Sequence, residues 1–286
     1  MALGTSLLLL SAVLHAAWNA LAKASKDKEA FLFLTIFISG LITFAMVFLV
    51  DGGFQMGSST VVGIGILSGI FEGLYFITLG RALRESSLGQ SYAIMRGGAM
   101  VFVWFISSFF LGETAKSYHY LGALIILGGI FVLNTPGKRK TEGARKISPF
   151  GNNKWSYWSA VFIAGYHLCY HQALVREAHP RSLFCIAMLV SLPFLFWSLG
   201  RKPFARIIGT WNVSKWRAIL TGLGATASFL IFLFGLQHSA PGFAISLRNS
   251  SIFFALIFSF FLRESLTRVQ IIGAITVGVG TFVLSI

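Results

Sequence analysis

Apolar residues run along the chain in blocks of about twenty, separated by short polar or glycine-containing gaps, and that spacing dictates the elements. A block of this length is what a helix needs to cross a hydrocarbon core about 30 Å thick. The blocks predict ten helices: near residues 4–22, 30–50, 60–80, 88–111 and 119–133, and again near 155–175, 183–199, 216–236, 240–262 and 269–286. Helices are expected throughout because lipid offers no partner to a backbone polar group, and a helix satisfies those groups within its own segment. The expected fold class is all-α, a polytopic membrane protein of ten transmembrane helices.

Composition agrees. Of 286 residues, 56% are hydrophobic and only 11% charged, which leaves no long polar segment for a separate soluble domain. The net charge of +14 would suit nucleic acid, but the basic residues are sorted by side. Counting loops alternately, Lys23, Lys26, Lys28, Arg81, Arg84, the run 138–154, the group 201–217, Arg263 and Arg268 fall on one face. Lys116, Arg176 and Arg181 fall on the other. This positive-inside bias places the first face in the cytoplasm and both termini outside. It argues against a nucleic-acid partner and for membrane lipids, in a multi-pass protein of the cell membrane, on this reading a bacterial inner membrane. The first span has no Lys or Arg before Lys23, so it lacks the basic start of a secretory signal and is expected to remain in place. Cys169 and Cys185 lie in predicted helices without metal-ligand spacing and read as buried thiols.

The two halves of the chain are alike. Ser108-Phe109-Phe110-Leu111-Gly112-Glu113 matches Ser259-Phe260-Phe261-Leu262-Arg263-Glu264, and the pair Gly122-Ala123 matches Gly273-Ala274. The segments then close on Gly-x-Phe-Val-Leu at 129–133 and 280–284, and Ser11-Ala12-Val13 corresponds to Ser159-Ala160-Val161. Offsets of 148 to 151 residues across all these matches indicate an internal duplication. The units are 1–135 and 154–286, joined by a basic cytoplasmic linker, 136–153, that carries Pro136, Gly137, Pro149 and Gly151. Five helices per unit is an odd number, so the second unit enters from the opposite side and the repeats are inverted. Such architectures place a site near the midplane, where the units meet.

The pattern Phe-Leu-x-Glu, a polar gap and Gly-Ala-x-Ile-x-x-Gly-Gly, tight over 111–129 and looser over 262–280, resembles the EamA domains of the drug/metabolite transporter superfamily. The resemblance covers the whole chain. It implies a ten-helix inverted-repeat fold and the movement of small organic metabolites. Members often carry a proline early in the fourth helix of each repeat; Ala99 and Ser251 stand near those places here. The stretch His15-Ala16-Ala17-Trp18-Asn19 resembles a His-Ala-x-Trp-Asn signature found in part of the family.

Polar residues inside the spans mark the candidate site. Arg96 and Arg248 lie deep in the fourth and ninth blocks, where an arginine costs roughly 2.5–3.5 kcal/mol unless it faces protein or a watery cavity. They fall seventeen residues before Glu113 and sixteen before Glu264, so one is turned by about 100° relative to the other. A guanidinium matches carboxylate or phosphate bidentately, so the pair points to an anionic group on the substrate; the alternative is that one arginine pairs with Glu72 and the other meets carbonyls or snorkels. Ser11, His15, Trp18 and Asn19 share a face of the first helix, as cavity lining or as interhelical packing. Glu72, central in the third block, is either a proton or cation site or an arginine's partner. Gly65, Gly69 and Gly73 beside it form a packing stripe.

Tyr75, Tyr92, Tyr166 and Asn249 complete the expected substrate contacts with Trp18, Asn19 and the arginines, while His15, Glu72 and His167 are the candidates for coupling or charge pairing. Glu113 and Glu264 are expected to serve helix N-termini or nearby basic groups. No catalytic or metal site is expected: the chain lacks HExxH, a Gly-x-Ser-x-Gly elbow and a phosphate-binding loop. Without a nucleotide-binding or electron-carrying motif, the expected function is a secondary carrier for a small, anionic metabolite, working by alternating access without a cofactor. A flippase for a phosphate-bearing lipid or lipid-linked sugar is the alternative, an intramembrane enzyme a more distant one. The sequence leaves monomer and homodimer open.

Overall fold

The computed structural model describes residues 2–110, 112, 114–135, 153–238 and 247–285. Leu111 and Glu113 of the first repeat motif, linker residues 136–152 and positions 239–246, which include the start of the ninth predicted span, lie outside them. The described residues are helical and contain no strand. In order the helices are α1 Ala2–Lys23, α2 Lys28–Leu49, α3 Ser59–Glu85, α4 Leu88–Phe110, α5 Ser117–Asn134, α6 Lys154–Val175, α7 Pro180–Ser198, α8 Pro203–His238, α9 Ser251–Phe261 and α10 Arg268–Leu284. By length and composition seven of them, α1–α5, α7 and α8, suffice to cross a membrane. Leu247–Phe261 and Arg268–Leu284 are shorter apolar helices.

Local chemistry sets the ends. Asp27 caps α2 by accepting from the Ala30 N–H, Ser58 caps α3 through Val61, and Thr267 with Gln270 forms a capping box on α10. Pro180 opens α7, where its missing N–H costs nothing. The eighth span, predicted at 216–236, is the later part of a longer element: α8 starts at Pro203 and bends at Ser214, whose φ of −135° is not helical.

The polarity of the bundle is that of a membrane protein. Leu124, Phe131, Trp197 and Phe282 project outward, while Ser39, Thr43, Ser68, Ser191 and Ser228 are buried. Between apolar helices in apolar lipid, close van der Waals packing has to supply the cohesion, and small residues permit it. Gly65, Gly69 and Gly73 lie against Leu183, Ala187, Val190 and Phe194, so the predicted stripe is the α3–α7 contact.

Contacts between the halves are reciprocal. α3 packs on α6 and α7, and α8 packs on α1 and α2; α4 touches α6, and α9 touches α1. The largest contact joins α5 to α10. There Gly122 faces Leu284 while Gly273 faces Leu133, and Gly129 faces Val277 while Gly280 faces Ile126. Each residue in these pairs is the 151-residue counterpart of one in its partner pair. The polar contacts follow suit: Ser11 and Ser228 bond each other's carbonyls on α1 and α8, and Ser159 donates to Thr78 on α6 and α3.

Candidate functional site

Ten of the eleven residues singled out above, Trp18, Asn19, Tyr75, Tyr92, Arg96, Tyr166, Arg248, Asn249, His15 and Glu72, are at most 3% exposed; His167 is half-buried. They come from α1, α3, α4, α6 and the helical turn 247–249 that precedes α9. His15 is the hub. Arg96 Nη2 meets its Nε2, while Trp18 Nε1 and Arg248 Nη2 each lie 3.2 Å from its Nδ1. Arg248 Nη1 also reaches Ser11 Oγ at 3.2 Å and the Ser228 carbonyl at 3.3 Å.

The two guanidiniums sit differently. Arg248 is held over the rings of Phe229 and Phe232, at 4.6 and 4.1 Å, and Arg96 stands 5.6 Å from the Tyr92 ring. Arg96 lies within unbroken α4, whereas a turn at Ser250 separates Arg248 from α9. Three acceptors and two rings fix Arg248, and among the described residues its Nε lacks a partner.

In sequence Glu72 is open to two readings, a proton or cation site and an arginine's partner. Among the described residues Glu72 forms no ion pair with either arginine. Its Oε2 accepts from the Tyr170 hydroxyl at 2.6 Å, and Oε1 has no donor. The helical repeat places Tyr170 on one face with His167 and His171, and the structure puts it opposite the carboxylate.

Donor groups crowd the His15 imidazole. Guanidinium and indole N–H groups donate only, and a neutral imidazole offers one lone pair, yet three donor groups converge on its two nitrogens. Among the described residues Arg96 Nη1, Arg248 Nε and the Asn249 amide nitrogen are buried without partners, as are the Tyr92 and Tyr166 hydroxyls and the acceptors Asn19 Oδ1 and Glu72 Oε1. Tyr166 occupies the middle, its ring 5.7 Å from Tyr75, 4.6 Å from His167, 5.6 Å from Tyr170 and 6.4 Å from Phe229. Asn19 spends its amide on its own helix, donating to the His15 carbonyl at 2.8 Å. Ser228, Phe229 and Phe232 on α8 were not singled out from sequence; as serine and phenylalanine in an apolar block they are indistinguishable there from packing.

Polar seams close both ends of the bundle. On the basic face, Glu264 accepts from the Leu88 N–H at 2.8 Å and pairs with Lys23 at 3.2 Å, so it serves both a helix N-terminus and a basic group. Lys23 also donates to the carbonyls of Leu83 and Ser86, and the Gly89 N–H donates to Ser259 Oγ. On the opposite face Arg181 pairs with Asp51, the His179 N–H donates to the Gln55 carbonyl, and Gln55 N–H donates to Ser182. Cys169 and Cys185 are buried free thiols, and no cluster of metal-ligating side chains occurs among the described residues.

Known proteins add the following. Twenty-five chains of solved structure match. One of them, described only as "Crystal structure of protein", is 16% identical, covers 99% of this chain and 96% of its own, and superposes with a TM-score of 0.67; at that identity it shows a shared fold. A comparison with curated proteins finds no match. The EamA-like transporter family matches residues 2–135 and 155–286, nearly the whole chain. The chain therefore belongs to the EamA-like transporter family of the drug/metabolite transporter superfamily, and is a multi-pass membrane transporter rather than an enzyme.

Proposed function

We propose that the protein is a secondary carrier that moves a small organic metabolite with an anionic group across the cell membrane, by alternating access of two inverted five-helix repeats. The observation that carries this reading is the meeting of two buried guanidiniums at His15, with no carboxylate paired to either among the described residues. Burying a charge without a counter-charge is costly, and a carboxylate or phosphate supplies the missing acceptors as charge-assisted bonds. Arg96, Arg248 and His15 then hold the anion, and Trp18, Asn19, Tyr75, Tyr92, Tyr166 and Asn249 enclose the organic part. Glu72, with one carboxylate oxygen unbonded, is the group positioned to take a proton or cation during the cycle, with His167 beside Tyr166.

Three observations support the mechanism. The reciprocal glycine and serine contacts are those expected of a twofold relation between two like units. The site is enclosed, so a substrate enters only when a seam parts. The seams themselves join residues of different units, Lys23 and Leu88 to Glu264 at one end and Asp51 to Arg181 at the other.

The test is a thermal-shift screen of the purified protein against carboxylates, phosphonates and phosphate esters, each beside its uncharged analogue, followed by uptake of any hit into proteoliposomes. A ligand that binds only the folded state raises its stability by mass action. Stabilisation by the acids alone, abolished in Arg96→Gln and Arg248→Gln, is the expected result. Equal stabilisation by neutral analogues, or undiminished uptake in both variants, would reject the anionic reading.

A further inference from the structure

We infer that the first part of α8, residues 203–213, is an in-plane anchor that lies on the basic-face surface of the bilayer and binds anionic phospholipid head groups. Length separates this segment from the membrane span. Residues 215–238, at about 1.5 Å each, extend roughly 36 Å and cross a hydrocarbon core of about 30 Å unaided. The bend at Ser214 falls where the surplus begins.

The segment has three faces. Phe204, Ile208 and Trp211, at i, i+4 and i+7, are 68%, 57% and 37% exposed and form one apolar stripe. A second face is fastened to the protein: Arg206 binds both carboxylate oxygens of Asp27 at 2.7 Å and Glu29 Oε2 at 2.8 Å, which fixes the helix against the start of α2. The third carries exposed Ala205, Gly209 and Asn212. Both ends are basic and exposed, with Arg201 and Lys202 before the helix and Lys215 after the bend. Asp27 and Glu29, the carboxylates beside it, are engaged by Arg206, so the charge left for a partner is positive.

An apolar stripe with basic flanks is the arrangement of helices that lie at a membrane surface, where Lys and Arg are drawn to an anionic leaflet. Lys202 in the left-handed region, at φ 63°, and Gly200, at φ 66°, turn the chain sharply between α7 and this segment. The membrane surface is the one occupant that answers both the stripe and the charge.

The test places one nitroxide at a time on positions 204, 208, 211, 205 and 212 of the full chain, with Cys169 and Cys185 replaced by alanine. Accessibility to oxygen and to a soluble nickel chelate is measured in phosphatidylcholine vesicles with and without about 30% phosphatidylglycerol. Positions 204, 208 and 211 should favour oxygen several-fold over 205 and 212, and the contrast should grow with phosphatidylglycerol. The triple variant Arg201→Glu, Lys202→Glu, Lys215→Glu should remove the growth and keep the stripe. Equal access of the nickel chelate to all five sites would put the segment in water, and equal access of oxygen would put it across the bilayer; either overturns the anchor. Accessibility unchanged by phosphatidylglycerol would overturn the head-group binding.

Discussion

Arg96 and Arg248 reach one imidazole from its two sides, Arg96 at Nε2 and Arg248 at Nδ1 of His15. Two cations that meet at one imidazole, with uncharged partners and no carboxylate paired to either among the described residues, are poorly compensated, so the site stores a demand for negative charge at some expense of folding stability. Arg96→Gln and Arg248→Gln should each reduce anion binding by about 10- to 100-fold, the equivalent of a charged hydrogen bond of about 1.5–3 kcal/mol. The same variants should melt no lower than the wild type without ligand, because they remove an uncompensated charge. Thermal melting with and without the ligand measures both; a large loss of unliganded stability would mean that the arginines are structural.

The Glu72–Tyr170 contact makes a different demand. Among the described residues Tyr170 supplies the one hydrogen bond to the carboxylate, so Tyr170→Phe removes the donor from a buried acidic group and should cost about 1–3 kcal/mol. Adding Glu72→Leu should recover much of that loss. A double-mutant cycle by chemical or thermal unfolding reads the coupling directly, and additive effects would count against the bond.

Much of this arrangement was legible in the sequence, for identifiable reasons. A buried arginine or glutamate in an apolar block has few bland explanations, so Arg96, Arg248 and Glu72 stood out, and the helical repeat placed Ser11, His15, Trp18 and Asn19 on one face. Which partner each charge takes was not legible, because opposite charges suggested an ion pair and the packing instead put Tyr170 beside Glu72 and His15 between the arginines. Phe229 and Phe232 were silent for a related reason: apolar residues in a membrane span look alike whether they face lipid, a neighbour or a cation. The start of α8 was missed because its stripe of Phe204, Ile208 and Trp211 is interrupted by Arg206 and Gly209, which reads as a loop when no surface is there to pair them.

Glu264 should control access from the basic face. Its carboxylate holds the first N–H of α4 and Lys23, three segments from both halves of the chain. Glu264→Ala removes a charged helix cap and an ion pair together, which should favour opening of that end. A cysteine at Ser91, one turn inside the seam, should then react several-fold faster with a membrane-impermeant maleimide from the basic side, in a background with Cys169 and Cys185 replaced. Asp51→Ala, at the other seam, should not accelerate that reaction. Equal rates in wild type and Glu264→Ala would remove the residue from gating.

Acid should weaken the attachment of α8 through Asp27. Burial works to raise this carboxyl's pKa, but the hydrogen bonds from Arg206 and the Ala30 N–H and the nearby guanidinium charge outweigh it, and the pKa lies below its ordinary value. A depressed folded-state pKa means the stabilisation is complete above the usual aspartate range near 4 and is lost as pH falls through that range to the folded value. Asp27→Asn keeps an effective N-cap on α2 and deletes the ion pair. Its melting temperature should therefore be lower than wild type at neutral pH and should fall less steeply on acidification below about pH 4. Parallel curves for the two proteins would show that the pair contributes nothing to stability.

The α5–α10 contact offers adjacent glycines with opposite expectations. A Cβ on Gly129 would stand 2.8 Å from the backbone nitrogen of Val277 and 3.0 Å from the Gly273 carbonyl, so neither neighbour can yield by rotating a side chain. Gly129→Ala should push the two helices apart and destabilise the fold by about 1–3 kcal/mol. Gly128, one residue earlier, has nothing within 4 Å of its Cβ position. Gly128→Ala should be neutral or stabilising by up to about 1 kcal/mol, since alanine favours the helix. Gly280→Ala, against Ile126 at 2.8 Å, should reproduce the effect of Gly129→Ala because it makes the reciprocal contact. If the halves are joined as two like units, those two variants match each other and differ from Gly128→Ala; if Gly128→Ala proves as harmful as the others, helix propensity and not close approach is at work, and the reciprocal seam loses its energetic meaning.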